Sequence, residues 1–303
     1  MCMKPTLRQL QYLVALAEAG TFSGAAKQCG VSQPSLSAQV QDMEAVLGVT
    51  LVERGRRGAP LSPIGQTLCA RARLILRDVE LMKTAARESG DTLAGLVRLG
   101  VLPSVGPYLL PPVLRGLHAR YSDLRFAIRE EPTVDLAAGL ADGRFDAVLS
   151  TQGDHPGMRA MELVREALFV GVAPDDPLAK EGDVAVSDLR GRDLLALGTR
   201  HRLGQLVRDV ARRAHARVRE DYQGTSLDAI RMMAETGGVM AVMPSLYARL
   251  EAARDPGIVL RRIDDPAAIR TLCLFWRPGF PAPAKLETIG DALSRAAVEA
   301  LSA

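Results

Sequence analysis

Between residues 22 and 61 the chain reads FSGAAKQCGVSQPSLSAQVQDMEAVLGVTLVERGRRGAPL, and no other stretch restricts the possible folds as tightly. Leu36, Val40, Met43 and Leu47 follow a 4-3-4 spacing, which lines them along one side of an α-helix. Gln33, Ser37 and Gln41, four apart, occupy a different side. Ser32 is placed to cap this helix, and Pro34 is tolerated in its first turn. Residues 23–29 predict a shorter helix in which Ala25 and Ala26 permit a close crossing, ended by Gly30 where a positive φ is favoured. Two short helices, a tight turn, a packing face and a separate polar face describe a helix-turn-helix. An ordinary amphipathic helix pair accounts for any one of these residues, but not for cap, turn, stripe and polar face together.

The polar face suits base readout. Glutamine can pair bidentately with an adenine edge, serine serves donors or acceptors, and the capped helix end offers N–H groups to a phosphate. The expected DNA-contacting set is therefore Ser32, Gln33, Pro34, Ser35, Ser37 and Gln41. Residues 51–61 then form a hairpin with an arginine-rich tip, a wing whose Arg54 and Arg56 suit a phosphate or a narrow minor groove; a merely solvated basic loop is the plainer alternative. From Ser62 and Pro63 a long helix is expected to run to about residue 89. Leu68, Ala72, Ile75, Val79 and Met82 repeat 4-3-4-3 along it, a heptad seam that predicts a dimer. At 1.5 Å per residue such a helix spans ~40 Å, enough to set two recognition helices on successive turns of DNA.

Residues 1–90 carry 11 Lys/Arg against 7 Asp/Glu, whereas the remainder carries 27 against 28, so the excess positive charge lies on the presumed DNA-binding part. Beyond residue 90 strands alternate with helices: strands at 96–101, 125–130 and 147–150 around helices at 108–119 and 134–142. A second series has strands at 168–173, 194–197, 219–222 and 239–243 with helices at 203–216 and 227–235, and a strand at 271–276 and a helix at 286–301 close the chain. Two α/β lobes follow, with crossovers near 163–166 and 265–270, and such lobes bind small molecules outside the carboxyl ends of their strands. Ser104 and Thr133 stand at two such ends, each as a ligand hydroxyl or simply as a helix cap.

In these features the chain resembles LysR-type transcriptional regulators over essentially its full length. Residues 11–18 (QYLVALAE), 31–37 (VSQPSLS), 103–111 (PSVGPYLLP), 225–227 (TSL) and 276–279 (WRPG) are similar to the peroxide-responsive OxyR branch. The resemblance implies an all-α winged helix-turn-helix head over 1–61, a linker helix over 62–90 and a two-lobed, periplasmic-binding-protein-like α/β effector domain over 91–303. Lobe I would comprise 91–165 and 271–303, and lobe II 166–270. It further implies a homo-tetramer built as a dimer of dimers, an interrupted palindromic operator in double-stranded DNA, contact with RNA polymerase and a cytoplasmic location. Family members use the positions of Ser104 and Thr133 for effector contacts; a small polar or anionic effector would also meet Thr225, and His201 and Arg202, with Arg200, either supply its counter-charge or form a solvated basic loop.

One departure matters. The peroxide switch of that branch oxidises a cysteine directly after a histidine, with a second cysteine further along to form a disulfide; here His201 is followed by Arg202, and no cysteine lies between Cys69 and Cys273. The expectation is a regulator gated by a reversibly bound molecule rather than by a disulfide, with a constitutive regulator or a non-standard peroxide sensor as alternatives. Cys2, Cys29, Cys69 and Cys273 are scattered without metal-ligand spacing, so no metal or cofactor is expected. No apolar run reaches membrane-spanning length, and no nucleophile elbow, P-loop or dinucleotide fingerprint points to an enzyme.

Overall fold

A computed structural model describes residues 5–53, 58–85, 93–180, 182–222 and 226–302. Two compact units divide the chain: Met1–Asp91 together with Ala141–Arg144, and Thr92–Leu140 together with Phe145–Ala303.

The first unit holds α1 (Leu7–Ala19), α2 (Phe22–Cys29), α3 (Gln33–Leu47) and α4 (Pro63–Ala85). A capping box opens α1: the Gln9 N–H donates to the Thr6 hydroxyl at 3.2 Å, and the Thr6 N–H donates to the Gln9 side chain at 2.9 Å. The first three helices end on Gly20, Gly30 and Gly48, all left-handed, a backbone conformation that costs other residues a Cβ clash. Leu13, Leu16, Ala25, Leu36, Val40 and Met43 fill the core between these helices. The wing is pinned at its base. Glu44 accepts the N–H groups of Leu51 and Val52 at 2.7 and 3.1 Å, and Val52 bridges Leu61 antiparallel. At Gly65 an added Cβ would lie 2.1 Å from the Leu51 carbonyl oxygen, so α4 crosses the wing strand where only glycine fits.

The expected seam on α4 divides between two environments. Ala72 is buried in the core of the first unit, which corrects its assignment to a dimer face, and Leu68 is half-buried against the same core. Ile75 and Met82 are 46% and 67% exposed, and Val79 is half-buried. The stripe is wide enough to serve the unit's own packing along one edge and leave an apolar edge open along the other.

In the second unit, β1 (Gly95–Val101), β2 (Leu124–Glu130) and β3 (Ala147–Thr151) run parallel, linked by α5 (Gly106–Arg120) and α6 (Thr133–Ala141). A long strand, β4 (Arg159–Val172), follows, then β5 (Val184–Ala185), β6 (Asp193–Leu195), α7 (Arg202–Ala214), β7 (Arg217–Val218), α8 (Leu227–Glu235), β8 (Met240–Pro244) and α9 (Ser245–Leu250). The chain finishes with β9 (Val259–Asp264), β10 (Ile269–Trp276) and α10 (Pro283–Ser302). The sheet order is β2-β1-β3-β10-β4-β8-β6-β7, with β9 pairing β4 and β5.

Of the segments read as crossovers, 163–166 lies inside β4, and 265–270 is a short 3-10 turn at Pro266–Ala268 that runs into the start of β10. β4 pairs with β10 from Arg159 to Ala167, then with β8 and β9 from Leu168 to Val172, so one uninterrupted strand serves both lobes. Charges at Arg165, Glu166 and Arg270 look like loop residues in the sequence, but Glu166 and Arg270 are buried and paired to each other. The strand expected at 219–222 lies two residues earlier, at Arg217–Val218, where its parallel partner Asp193–Leu194 sets the register.

Candidate DNA interface and inter-lobe cleft

On α3 the two faces separate as the spacing requires. Leu36, Val40 and Met43 are no more than 2% exposed, whereas Ser32, Gln33, Pro34, Ser35 and Gln41 are exposed and Ser37 is half-buried. The Ser32 hydroxyl accepts the Ser35 N–H at 3.4 Å, which fixes the start of the helix and orients its first-turn amides outward. Neutral donors and acceptors thus occupy the open face of a helix held from behind by aliphatic packing, the arrangement for reading base edges in a major groove. Arg54 and Arg56 lie outside the described residues; on either side of them Val52 bridges Leu61 and the Glu53 N–H donates to the Pro60 carbonyl at 2.9 Å.

In the second unit the three parallel strands of the first lobe deliver one polar residue each, three positions past the strand end. These are Ser104 after Val101, Thr133 after Glu130 and Asp154 after Thr151. The first is Ser104, which is 5% exposed. Its hydroxyl accepts from Arg270 Nη1 at 2.9 Å, and its carbonyl accepts from Nη2 at 3.3 Å. Arg270 Nε donates to Glu166 Oε1 at 2.7 Å, and the other Glu166 oxygen accepts the Leu246 N–H at 2.9 Å. Ser104 therefore does not offer both lone pairs to a ligand; one is already bound to the ion pair in the joining strands.

Thr133 and Asp154 converge on Arg202. The Arg202 N–H, at the first position of α7, donates to the Thr133 hydroxyl at 3.3 Å, and Arg202 Nε lies 3.4 Å from Asp154 Oδ1. The second Asp154 oxygen accepts from the Ser150 hydroxyl at 2.9 Å and the Thr151 N–H at 3.2 Å. Burial raises the Asp154 carboxyl above its usual range, opposed by the Ser150 hydroxyl and by Arg202. Beside this bridge Arg200 pairs with Asp135 of α6. His201 is the N-cap of α7 but makes no side-chain cap bond; burial and the adjacent Arg200 lower its pKa. Thr225 lies outside the described residues. The sequence reading missed Asp154, although the strand-end rule that found Ser104 and Thr133 reaches it as the third case. It also missed Asp135 and the Glu166–Arg270 pair.

Chemically the cleft offers a guanidinium, a hydroxyl and a helix N-terminus facing a carboxylate. That set holds an oxyanion if Asp154 yields, and it contains no thiol. Cys29, Cys69 and Cys273 are free and burial pushes each thiol up, Cys273 to about 11, which disfavours the nucleophilic thiolate. Among the described residues no group of three His, Cys, Asp or Glu side chains could hold a metal, and no helix is long and apolar enough to cross a membrane.

Residues 7–66 match the family description "Bacterial regulatory helix-turn-helix protein, lysR family", and residues 90–297 match "LysR substrate binding domain". The "Hydrogen peroxide-inducible genes activator" of Pectobacterium carotovorum subsp. carotovorum is 35% identical over 288 residues, covering 95% of each chain. Full-length OxyR from Pseudomonas aeruginosa, solved with one cysteine-to-aspartate substitution, superposes with a TM-score of 0.80 at 29% identity, covering 96% of this chain and 98% of that one. Full-length CbnR complexed with its target DNA gives 0.66 at 25% identity over 96% and 99% of the two chains.

Proposed function

The chain belongs to the LysR family of DNA-binding transcriptional regulators, with OxyR proteins among its relatives, and on that footing we propose that a small polar or anionic molecule in the inter-lobe cleft gates it, not a disulfide. Its relatives are transcription regulators rather than enzymes. The observation that carries the proposal is Arg202. It stands directly after His201, where the peroxide switch needs a cysteine, and it reaches Thr133 and Asp154 of the other lobe with its backbone N–H and its guanidinium. A guanidinium undergoes no thiol redox chemistry, but it binds carboxylates and phosphates well. An effector oxyanion replaces Asp154 on Arg202 and takes bonds from the start of α7, so the distance between Thr133 and Arg202 becomes the signal.

The open face of α3, from Ser32 to Gln41, reads the major groove, and Arg54 and Arg56 in the wing contact the backbone or the minor groove. Dimers form along the exposed edge of α4, through Ile75, Val79 and Met82, and pair into tetramers that bind an interrupted palindrome and engage RNA polymerase. A second reading has one observation in its favour: Arg202–Asp154 and Arg200–Asp135 already tie the lobes through the chain's own side chains, which suits a constitutive regulator.

DNA binding and bending on the chain's own upstream region, titrated with hydrogen peroxide under matched reducing and oxidising conditions, separates these readings. The expected result is tight sequence-specific binding that peroxide does not alter, before and after replacement of all four cysteines. A peroxide effect reversed by thiol reductant would overturn the proposal. If binding is also indifferent to a panel of carboxylates and phosphates, the constitutive reading stands.

A further inference from the structure

The two strands that join the lobes carry a second basin on their other face. Along β4, Glu166, Leu168 and Val170 are buried, while Arg165, Ala167 and Phe169 alternate with them on the opposite side. Register places Ile269 of β10 beside Ala167, and Arg262 of β9 beside Phe169. With Leu301 of α10, the residues Ala167, Phe169 and Ile269 make a half-buried apolar floor. Arg165, Arg249 and Arg262 stand exposed around it, and the basin encloses about 390 Å³.

The rim's charge is largely uncompensated. The Glu166 carboxylate, though at the basin wall, is used by Arg270 and the Leu246 N–H on the buried side. Asp183 lies 3.7 Å from Arg262. Among the described residues no carboxylate lies within 4.0 Å of a guanidinium nitrogen of Arg165 or Arg249. Three guanidiniums close to an apolar floor leave a site that water and small inorganic ions fill poorly, because the floor stays wet and the arginines, weakly hydrated, favour planar oxyanions. The volume falls within the range of small-molecule sites, about 300–1,000 Å³, rather than that of an extended protein interface.

The geometry points to a second effector site, distinct from the cleft, that takes a small amphiphilic organic anion. Its carboxylate or phosphate lies among Arg165, Arg249 and Arg262, and its aryl or alkyl body covers Phe169 and Ile269. Ile269 precedes Arg270, and Ala167 follows Glu166, so an occupant bears on the same strand positions that hold Ser104 at the cleft.

The test is calorimetric titration of the full chain with 2-naphthoate, with 2-naphthylmethanol and inorganic phosphate as controls. The proposal expects saturable binding in the micromolar to millimolar range, and about tenfold or more weakening for each control. The exposed double variant Arg165→Ala/Arg249→Ala should weaken 2-naphthoate binding about tenfold or more, whereas Arg202→Ala in the cleft should leave it unchanged. Binding lost in Arg202→Ala but kept in the double variant would assign the ligand to the cleft and overturn the rear site. Absence of saturable binding up to about 10 mM would also overturn it. So would a change in oligomeric state of the double variant without any naphthoate binding, which would make this face a protein contact.

Discussion

Glu166 and Arg270 are fully buried and face each other across the two strands that join the lobes, so neutralising one should cost far more than breaking an exposed pair. The Glu166 carboxylate accepts from Arg270 Nε at 2.7 Å and from the Leu246 N–H at 2.9 Å, and its Oε1 also lies 2.7 Å from Arg270 Nη2 as an ion pair. In Glu166→Ala these donors lose their acceptor inside the protein, and Arg270 keeps a charge it cannot shed. Breaking a buried pair in this way costs about 3–5 kcal/mol, and an orphaned buried amide about 1–3 kcal/mol. The two penalties overlap, so a loss of about 4–5 kcal/mol is expected, a large share of the ~5–15 kcal/mol that holds a typical domain. Trp276, the single tryptophan of the chain, sits on β10 in the same strand as Arg270 and reports this unit's unfolding directly by fluorescence. With a urea dependence of about 3 kcal/mol/M, the midpoint should fall by roughly 1.5 M. Asp193→Asn, which breaks the exposed pair with Arg217, should move it by no more than about 0.3 M. A Glu166→Ala midpoint within about 0.3 M of the unsubstituted protein would refute the reasoning, because it would mean that the strands are held together without the pair.

Other consequences are as open to measurement. Gln33→Ala should cost ~1–3 kcal/mol on a specific operator and almost nothing on random DNA, measured by titration at fixed salt; equal losses on both would make Gln33 a phosphate contact. Ile75→Glu and Met82→Glu, on the exposed edge of α4, should dissociate oligomers in sedimentation without lowering the melting temperature of the head, whereas Ala72→Glu should unfold the head by burying an unpaired charge at a cost of about 3 kcal/mol or more. Because burial raises the Asp154 carboxyl, the folded chain takes up a proton there at a pH where the unfolded chain does not; this group's stabilisation is full at low pH and declines as pH rises through that raised range. The same protonation releases Arg202, so affinity for a fully ionised ligand such as a sulfonate in the cleft should increase as pH falls into that range, and Asp154→Asn should abolish the dependence. A slope that survives the substitution would place the titrating group elsewhere.

The recognition helix was legible because a single physical fact, one buried side and one open side at a 3.6-residue period, is written directly into Leu36, Val40, Met43 and Gln33, Ser37, Gln41. Ser104 and Thr133 were found because a strand end followed by a helix start is a local signal. Asp154 is followed instead by a turn and an extended strand, so it carried no helix signature. β4 was only half read for a different reason. The partner that neutralises Glu166 is 104 residues away, and nothing near Glu166 in sequence says that its charge is buried. The double arginine in β9, Arg261–Arg262, hid that strand in the same manner: Arg261 bonds the carbonyls of Ala179 and Lys180, and Arg262 stands in the open. On α4 the heptad marked an apolar stripe but not its division, since spacing cannot tell whether Ala72 meets its own head or a second chain.

The continuous passage of β4 and β10 between the lobes also says what kind of motion the cleft can make. Two strands hydrogen-bonded along Arg159–Ala167 cannot swivel about a loose loop, and any opening must twist the ladder as a whole. The register slips between Leu272 and Cys273, where Leu163 stands without a partner, a bulge of the kind that increases local strand twist. Such a joint behaves as a torsion spring. Work done in twisting such a ladder is stored in it and returned on release, so a displaced lobe is driven back toward its resting geometry.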